Sequence, residues 1–116
     1  MRLVLVALLA MTSSAFSAER VPTFPKRTSY EEARESLIAL GWQPAPTSAN
    51  PNRCSPGFEE RCKSYPEATA CSGTGLARCT FLWRSKSGET LIEVGTFGEE
   101  DPPMVERVRC RVGCRR

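Results

Sequence analysis

Residues 79–97 read CTFLWRSKSGETLIEVGTF, two runs of alternating hydrophobicity separated by a polar segment that contains glycine. The first run places Phe81 and Trp83 on one side, and residues 90–96 alternate in the same way. Successive side chains of a β-strand point to opposite faces, so a period of two is typical of strands with one buried face. With Ser85–Gly88 as the turn, the sequence predicts an antiparallel hairpin.

A single helix is predicted before the hairpin, over residues 30–40. Ser29 and Glu32 have the spacing of a capping box, in which each side chain accepts a hydrogen bond from the other residue's backbone N–H. Thr28 with Glu31 is a second possible register. The predicted buried stripe follows helical spacing and consists of Tyr30, Ala33, Leu37 and Leu40, widened by Ile38.

The helix is predicted to end at Gly41. Glycine readily adopts the left-handed conformation that terminates many helices, and Trp42 can then fold back on the last turn. Pro44 lacks the backbone N–H that a continuing helix needs. Residues 44–53 and 54–75 contain turn residues without apolar periodicity and are predicted to be loops.

Residues 104–112 predict a third strand. Its apolar side is predicted to carry Met104, Val108, Cys110 and Val112, and its opposite side Val105, Arg107, Arg109 and Arg111. The elements together predict an α+β domain, in which one N-terminal helix packs on a three- to four-stranded antiparallel sheet stabilised by disulfides. Trp42 and Trp83 are the largest side chains expected in its core.

Residues 1–18 have the pattern of a secretory signal peptide: a positive N-region, an uncharged apolar run at 3–11 and then small residues. The run is shorter than the roughly 20 apolar residues of a membrane-spanning helix, although a short membrane-tethering helix is the alternative. The exported protein is predicted to begin between Phe16 and Glu19. Residues 19–116 are then predicted to form one small disulfide-rich domain, periplasmic or secreted.

All cysteines lie in the predicted exported domain: Cys54, Cys62, Cys71, Cys79, Cys110 and Cys114. An even number of cysteines in a short exported chain is typical of a disulfide framework. The sequence contains no histidine and no C-x-x-C pair, which disfavours a structural zinc site and thioredoxin-type redox chemistry. No metal and no cofactor are therefore predicted.

The sequence leaves the pairing of the cysteines open, and pairing of neighbours is the first choice. The segments from Cys54 to Cys62 and from Cys71 to Cys79 both contain turn residues and can fold back on themselves. Cross-strand pairing that involves Cys79 or Cys110 is the alternative.

A bond between Cys110 and Cys114 requires a break in the third strand. In a continuous strand their Cα atoms would lie about 13 Å apart, whereas a disulfide spans roughly 4.4–6.8 Å. We therefore expect a turn at Gly113 if these two cysteines pair.

The composition excludes several kinds of catalysis. Without histidine, neither a Ser-His-Asp nor a Cys-His arrangement can form, and the commonest general base at neutral pH is missing. The adjacent glutamates at 59–60 and 99–100 are predicted to be solvated charges rather than an acid–base pair. Residues 72–75 lack the lysine and the length of a phosphate-binding loop and are predicted to be a turn. The protein is therefore predicted not to be an enzyme.

Arginines are concentrated at the C-terminus, at Arg107, Arg109, Arg111, Arg115 and Arg116. Such a group suits an anionic partner, for example lipid phosphates, a polyanion or an acidic protein. The alternative is an edge strand that uses charge to prevent pairing with other sheets. The formal net charge of the sequence is only +3, and a binding site for nucleic acid is not predicted.

Two segments of the chain resemble a group of small, exported, largely uncharacterised bacterial proteins that contain cysteines. They are the helix followed by Gly41-Trp42-Gln43-Pro44, and the hairpin preceded by CSGTGLARC at 71–79. The resemblance covers about residues 29–98 and implies an exported location without implying an activity. The order of helix and sheet is also similar to modules of periplasmic inhibitors and envelope-assembly lipoproteins, which is an analogy of fold alone.

We therefore expect a non-enzymatic, exported binding or inhibitor-like module of the bacterial envelope or secretome. Its expected partner is a protein or an anionic envelope surface, and the exposed loops at 44–57 and 97–103 are its expected contact regions. The alternative is a structural envelope protein that associates with anionic surfaces through the C-terminal arginines. No transmembrane segment is expected after removal of the signal peptide.

Overall fold

The computed structural model describes residues 19–46 and 53–115. The predicted signal peptide, Arg116 and residues 47–52 of a predicted loop lie outside these ranges. The elements within them are α1 (Tyr30–Ala39), β1 (Gln43–Pro44), α2 (Glu59–Ser64), β2 (Ala68–Cys71), β3 (Cys79–Arg84), β4 (Leu91–Phe97) and β5 (Met104–Val112). The strands form one antiparallel sheet, so the predicted α+β class is confirmed.

The predicted hairpin forms the centre of the sheet as β3 and β4. Phe81 lies opposite Val94, and Trp83 lies opposite Ile92. All four of these side chains are fully buried, because alternation directs them to the same face. The turn between the strands lies at residues 85–88, as the sequence predicts.

The two edges of the sheet are built differently. β5 pairs with β4 and forms one edge, while β1 and β2 both pair with β3 on the other side. The sheet therefore has five strands instead of the predicted three or four, and α2 adds a second helix. β1 has two residues, β2 has four and α2 has six, and segments this short show no periodicity from which to predict them.

The N-terminus of α1 has the predicted capping box. The backbone N–H of Glu32 donates to the Ser29 hydroxyl at 3.2 Å, and the N–H of Ser29 donates to the Glu32 carboxylate at 2.9 Å. At the other end, Gly41 has a φ of +91°, and the N–H of Trp42 donates to the carbonyl of Leu37 at 2.9 Å. This is the predicted glycine-terminated helix end.

The buried stripe of α1 is narrower than predicted. Tyr30, Ala33 and Leu37 are buried, but Leu40 is 69% exposed and Ile38 is 49% exposed. The prediction for Leu40 was wrong because the helix ends at Ala39 and the chain reverses directly after it. Ile38 follows Leu37 by one residue, a rotation of about 100° around the helix axis that turns it away from the sheet.

Aromatic side chains fill the space between α1 and the sheet. The Tyr30 ring stacks on the Phe81 ring with 3.8 Å between their centroids, and the Tyr65 ring meets Tyr30 edge-on at 4.9 Å. Trp42 and Trp83 are both buried, which confirms that the two tryptophans belong to the core.

β5 has the predicted bounds but not the predicted faces. Gly95 pairs with Arg107 and Thr96 pairs with Val105, so Glu106 is an extra residue that reverses the alternation. As a result Val105 packs against the core beside Val108, and Met104 belongs to the opposite face.

A second irregularity in β5 lies between its pairings with Leu91 and Ile92. It accompanies a further difference from the predicted apolar side: Val112 is 58% exposed, and Cys110 is exposed as well. Of the four residues predicted to form that side, only Val108 packs against the core.

The cysteines pair as neighbours, the first of the predicted alternatives. The bonds join Cys54 to Cys62, Cys71 to Cys79 and Cys110 to Cys114. The last pair has a Cα–Cα distance of 6.0 Å, because the chain leaves β5 at Gly113 with a φ of +66°, which is the required turn.

Candidate functional site

Residues 19–29 precede α1 and follow the outer edge of β5; we call them the lead-in. Backbone hydrogen bonds fix both of its ends: the N–H of Arg115 donates to Glu19 at 3.0 Å, and the N–H of Val105 donates to Thr28 at 2.9 Å. Between these two points, no backbone hydrogen bond joins the described lead-in residues to β5. The lead-in is therefore tied to the edge strand at its ends and unpaired in the middle.

A cleft of about 510 Å³ lies between the middle of the lead-in and the sheet; we call it the groove. One wall consists of residues 22–27, and the other consists of Phe97 and residues 105–108. Its apolar side chains are Pro22, Phe24, Pro25, Phe97, Val105 and Val108. The volume falls within the roughly 300–1,000 Å³ that is typical of ligand pockets.

The sequence of the lead-in explains why a cleft forms here. Pro22 and Pro25 have no backbone N–H and cannot extend a β-ladder along the edge of β5. Phe24 packs against the core and holds the segment in place. A turn follows, in which the N–H of Thr28 donates to the carbonyl of Pro25 at 3.3 Å. The lead-in is thus anchored to the domain while remaining off the strand edge.

The rim of the groove is basic. Lys26, Arg27 and Arg107 line it, and none of them forms an ion pair with another described residue. The one acidic lining residue, Glu106, accepts two hydrogen bonds of 3.1 Å from the Arg78 guanidinium. The groove therefore combines an apolar interior with three cations that have no carboxylate partner in the described chain.

The structure brings together three of the predicted anion-binding arginines. Arg107 and Arg109 lie on the face of β5 opposite the core, and Arg111 belongs to the second irregularity of the strand. Arg109 and Arg111 both contact the Glu93 carboxylate, at 3.6 Å and 2.9 Å. Among these three, Arg107 alone has no ion-pair partner in the part of the chain that the structure describes, and its aliphatic stem lies over Gly95.

Arg115 does not line the groove. It lies beside the start of the lead-in, in a second cleft lined by Glu19, Leu40 and Trp42. Arg107 and Arg115 thus line different clefts, and Arg116 lies outside the described residues.

A buried polar network connects α1 to the sheet. The carboxylate of Glu67, which has no exposed surface, accepts hydrogen bonds from the Tyr30 hydroxyl at 2.9 Å and from the Arg34 Nε at 2.7 Å. The Trp83 indole N–H donates to the Tyr30 oxygen at 3.1 Å. Burial, and then the neighbouring Glu67 carboxylate, raise the pKa of the Tyr30 hydroxyl above its usual range.

A second buried group holds the loop at 98–101. Arg61 is 3% exposed, and its guanidinium donates to the carbonyls of Gly98, Glu99 and Glu100. Its Nε donates to the Asp101 carboxylate at 2.9 Å. The predicted exposed contact loop at 97–103 is therefore fixed to the domain by one buried arginine.

Sequence reasoning missed Glu67 and Arg61, and it missed the groove. Glu67 and Arg61 lie in a segment that was predicted to be loop, where charged residues are ordinarily solvated. Phe24 is flanked in the sequence by polar and proline residues without apolar periodicity, so no pattern predicted that it packs against the core. The prolines of the lead-in were a usable signal, because proline beside a strand marks an edge.

The Sγ atoms of Cys54, Cys62 and Cys71 lie within 4.8 Å of one another. All three atoms are engaged in disulfides, and thiolates are the form of cysteine that binds metals. In the oxidised protein these sulfurs pack in the core.

No protein-family model, curated protein or solved structure matches this chain. Over residues 19–46 and 53–115, none of the helices has the length and hydrophobicity needed to cross a membrane.

Proposed function

We propose that this protein is a non-enzymatic, exported binding module that acts by occupying a partner, in the manner of an inhibitor. The observation that carries the proposal is the groove, an apolar cleft whose three rim cations have no carboxylate partner among the residues that the structure describes. Unpaired cations beside exposed apolar surface are typical of a surface that meets an oppositely charged partner.

The way in which the lead-in, one wall of the groove, is fixed to the domain supports a binding role. The lead-in is fixed at Glu19 and at Thr28, and Phe24 packs against the core between these points. A wall that is already ordered loses little conformational freedom when a partner binds, so more of the contact energy appears as affinity.

The location outside the cytoplasm is part of the same proposal. Three disulfides join the six cysteines, and such frameworks are typical of the periplasm and of secreted proteins. The predicted signal peptide at 1–18 leads to the same compartments. The absence of histidine from the sequence favours binding over catalysis.

A second candidate function rests on the arginine face of β5. Arg107 has no ion-pair partner there among residues 19–46 and 53–115, which favours association with anionic envelope surfaces. Arg109 and Arg111 favour it less, because they compensate the nearly buried Glu93.

Site-directed photo-crosslinking tests the proposed function. A photoreactive residue at Thr23, which is exposed and lines the groove, should capture a partner from the native envelope fraction. The same residue at Lys86, which is exposed in the turn between β3 and β4 and does not line the groove, is the control. The captured partner, once purified, should bind the protein saturably. Equal adducts from both positions, or none from Thr23, would contradict the proposal.

The second candidate is tested with anionic vesicles at low salt, about 0.05 M or less, where screening is weak. Arg107→Gln should reduce vesicle binding, whereas Lys86→Gln, with the same loss of charge in an exposed turn, should not. Equal binding by both variants would leave the arginines with a role in protecting the sheet edge.

A further inference from the structure

We propose that the occupant of the groove is an extended acidic segment of a partner protein, which adds as a strand to the outer edge of β5. This inference rests on the proposed function and names the class of partner. Three observations carry it: the unpaired strand edge, the apolar groove beside that edge and the unpaired cations at the rim.

The first observation is the state of the strand edge. β5 is paired with β4 on its inner side, and the lead-in bonds to it only near Val105 and beyond its end at Arg115. Backbone N–H and C=O groups at an unpaired edge can form a ladder with an incoming extended chain, which is a common way of binding peptides. The middle of β5 provides such an edge.

The second observation is the position of the apolar surface. The groove is lined by Val105 and Val108 of the same strand and by Phe24 and Pro25 of the lead-in. In an added strand, alternate side chains point to the same side. A peptide paired with β5 would therefore place an apolar side chain in the groove while its backbone bonds to the strand.

The third observation is the sign of the charge. Lys26, Arg27 and Arg107 have no ion-pair partner among the described residues, and Arg78 compensates Glu106. Carboxylates on the added strand would meet these cations, whereas lysines in the same places would be repelled. The charge therefore selects an acidic segment over a basic one.

A lipid is the competing occupant. An acyl chain would fill the groove and its phosphate would meet the rim cations, but the lipid would leave the backbone edge of β5 without a partner. A peptide uses all three features, and for this reason we infer a peptide.

The probe is a blocked seven-residue peptide in which glutamate alternates with valine, with phenylalanine at the central apolar position. It is titrated into the oxidised, ¹⁵N-labelled protein and followed by NMR. We expect saturable shifts at residues 22–27 and 105–108, and slower hydrogen exchange of β5 amides. The matched control peptides carry lysine in place of glutamate, or N-methyl groups on the backbone nitrogens of one edge, and both should bind at least about tenfold more weakly.

Two charge-matched double variants locate the binding site. Lys26→Gln with Arg27→Gln removes two cations from the rim, and about a tenfold loss of peptide affinity is expected. Lys63→Gln with Lys86→Gln removes the same charge from positions outside the groove lining, and the affinity should change by less than about twofold. Both lysines of the control are exposed, so folding should be unaffected.

Each result decides between the alternatives. Equal binding of the N-methylated peptide, or equal losses in the two double variants, would overturn strand addition at this edge. Binding of anionic vesicles at residues 22–27 without binding of the peptide would assign the groove to lipid and overturn the inference. If the peptide fails while Thr23 still crosslinks a partner, the inference falls and the proposed function stands. If both fail, both fall.

Discussion

Glu67 is fully buried, and only one of its two carboxylate oxygens accepts hydrogen bonds from the described residues. Oε1 accepts from Tyr30 and from Arg34, whereas Oε2 has no hydrogen-bond partner in the described parts of the chain. A buried carboxylate is tolerated only when it is paired and hydrogen-bonded. The pairing with Arg34 therefore explains why a charged residue can occupy this position in the core.

Replacement of Glu67 by glutamine should destabilise the protein strongly. The change removes the charge opposite Arg34, so the hydrogen bonds from Arg34 and Tyr30 would meet a neutral amide instead of a carboxylate. We expect the free energy of unfolding to fall by about 3 kcal/mol, measured by chemical denaturation. Glu60→Gln is the control, because Glu60 and its partner Lys63 are highly exposed, and its effect should stay below about 0.5 kcal/mol. Equal effects of the two variants would refute the role of the network.

Tyr30 should make the protein less stable in alkaline solution. The usual pKa of tyrosine is about 10, and burial next to Glu67 raises the pKa of Tyr30 in the folded protein. Above about pH 10 the unfolded chain loses this proton while the folded chain retains it, so the free energy of unfolding decreases as the pH rises. The slope should not exceed about 1.4 kcal/mol per pH unit for this group.

Denaturation curves between pH 8 and pH 11 measure this effect, in the wild type and in Tyr30→Phe. The variant keeps the stacked ring but has no group to ionise, so its stability should depend less on pH. The pH dependence of the stability of Tyr65→Phe is measured for comparison, because burial and a hydrogen bond to Glu31 raise the pKa of Tyr65 as well. Identical slopes for the wild type and Tyr30→Phe would contradict the assignment.

At the scale of the elements, the sequence predicted best where a pattern repeats over several turns or strand residues. Tyr30, Ala33 and Leu37 recur at helical spacing, and Phe81 and Trp83 alternate, so α1 and the hairpin could be located. The faces of β5 could not be predicted. The bulge at Glu106 reverses the alternation, and it depends on how β5 pairs with β4, which the residues of β5 alone do not reveal.

The turn after β5 should depend on Gly113. A Cβ atom at this position would clash with the backbone carbonyl oxygen of Glu89, in addition to requiring a φ of +66°. Gly75 has a similar φ of +62° but no atom within 4 Å, and Gly75→Ala therefore isolates the effect of backbone conformation, about 1–2 kcal/mol. Gly113→Ala should destabilise the protein by more than Gly75→Ala in denaturant unfolding. Equal effects would show that the backbone of Glu89 moves away freely.

At the scale of the whole molecule, the groove could not be predicted from the sequence. Its walls come from residues 22–27 and residues 105–108, which only the tertiary fold brings together. The arginines of β5 were visible in the sequence, but the Glu93 carboxylate that compensates Arg109 and Arg111 is set by strand register. Charge counted along the chain therefore overestimated the charge available to a partner.

The disulfides should differ in their importance for stability. All close short loops, and the chain-entropy model gives about 2–2.5 kcal/mol for loops of this size. Cys71 and Cys79 are also 3% and 1% exposed, so replacing both by alanine additionally leaves a cavity in the core. Cys110 is exposed, so the corresponding double variant of Cys110 and Cys114 should be less destabilised. Thermal unfolding of the two variants measures the order, and the reverse order would contradict this account.

The short span of the disulfides also has a mechanical consequence. Cysteines separated by eight, eight and four positions are joined, so no crosslink connects distant parts of the chain. If the oxidised molecule were stretched from Glu19 and Arg115 in an optical trap, the sheet would rupture and most of the chain would extend, while the three short loops stay closed by their disulfides. Reduction would lengthen the stretched chain only by the residues within these three loops.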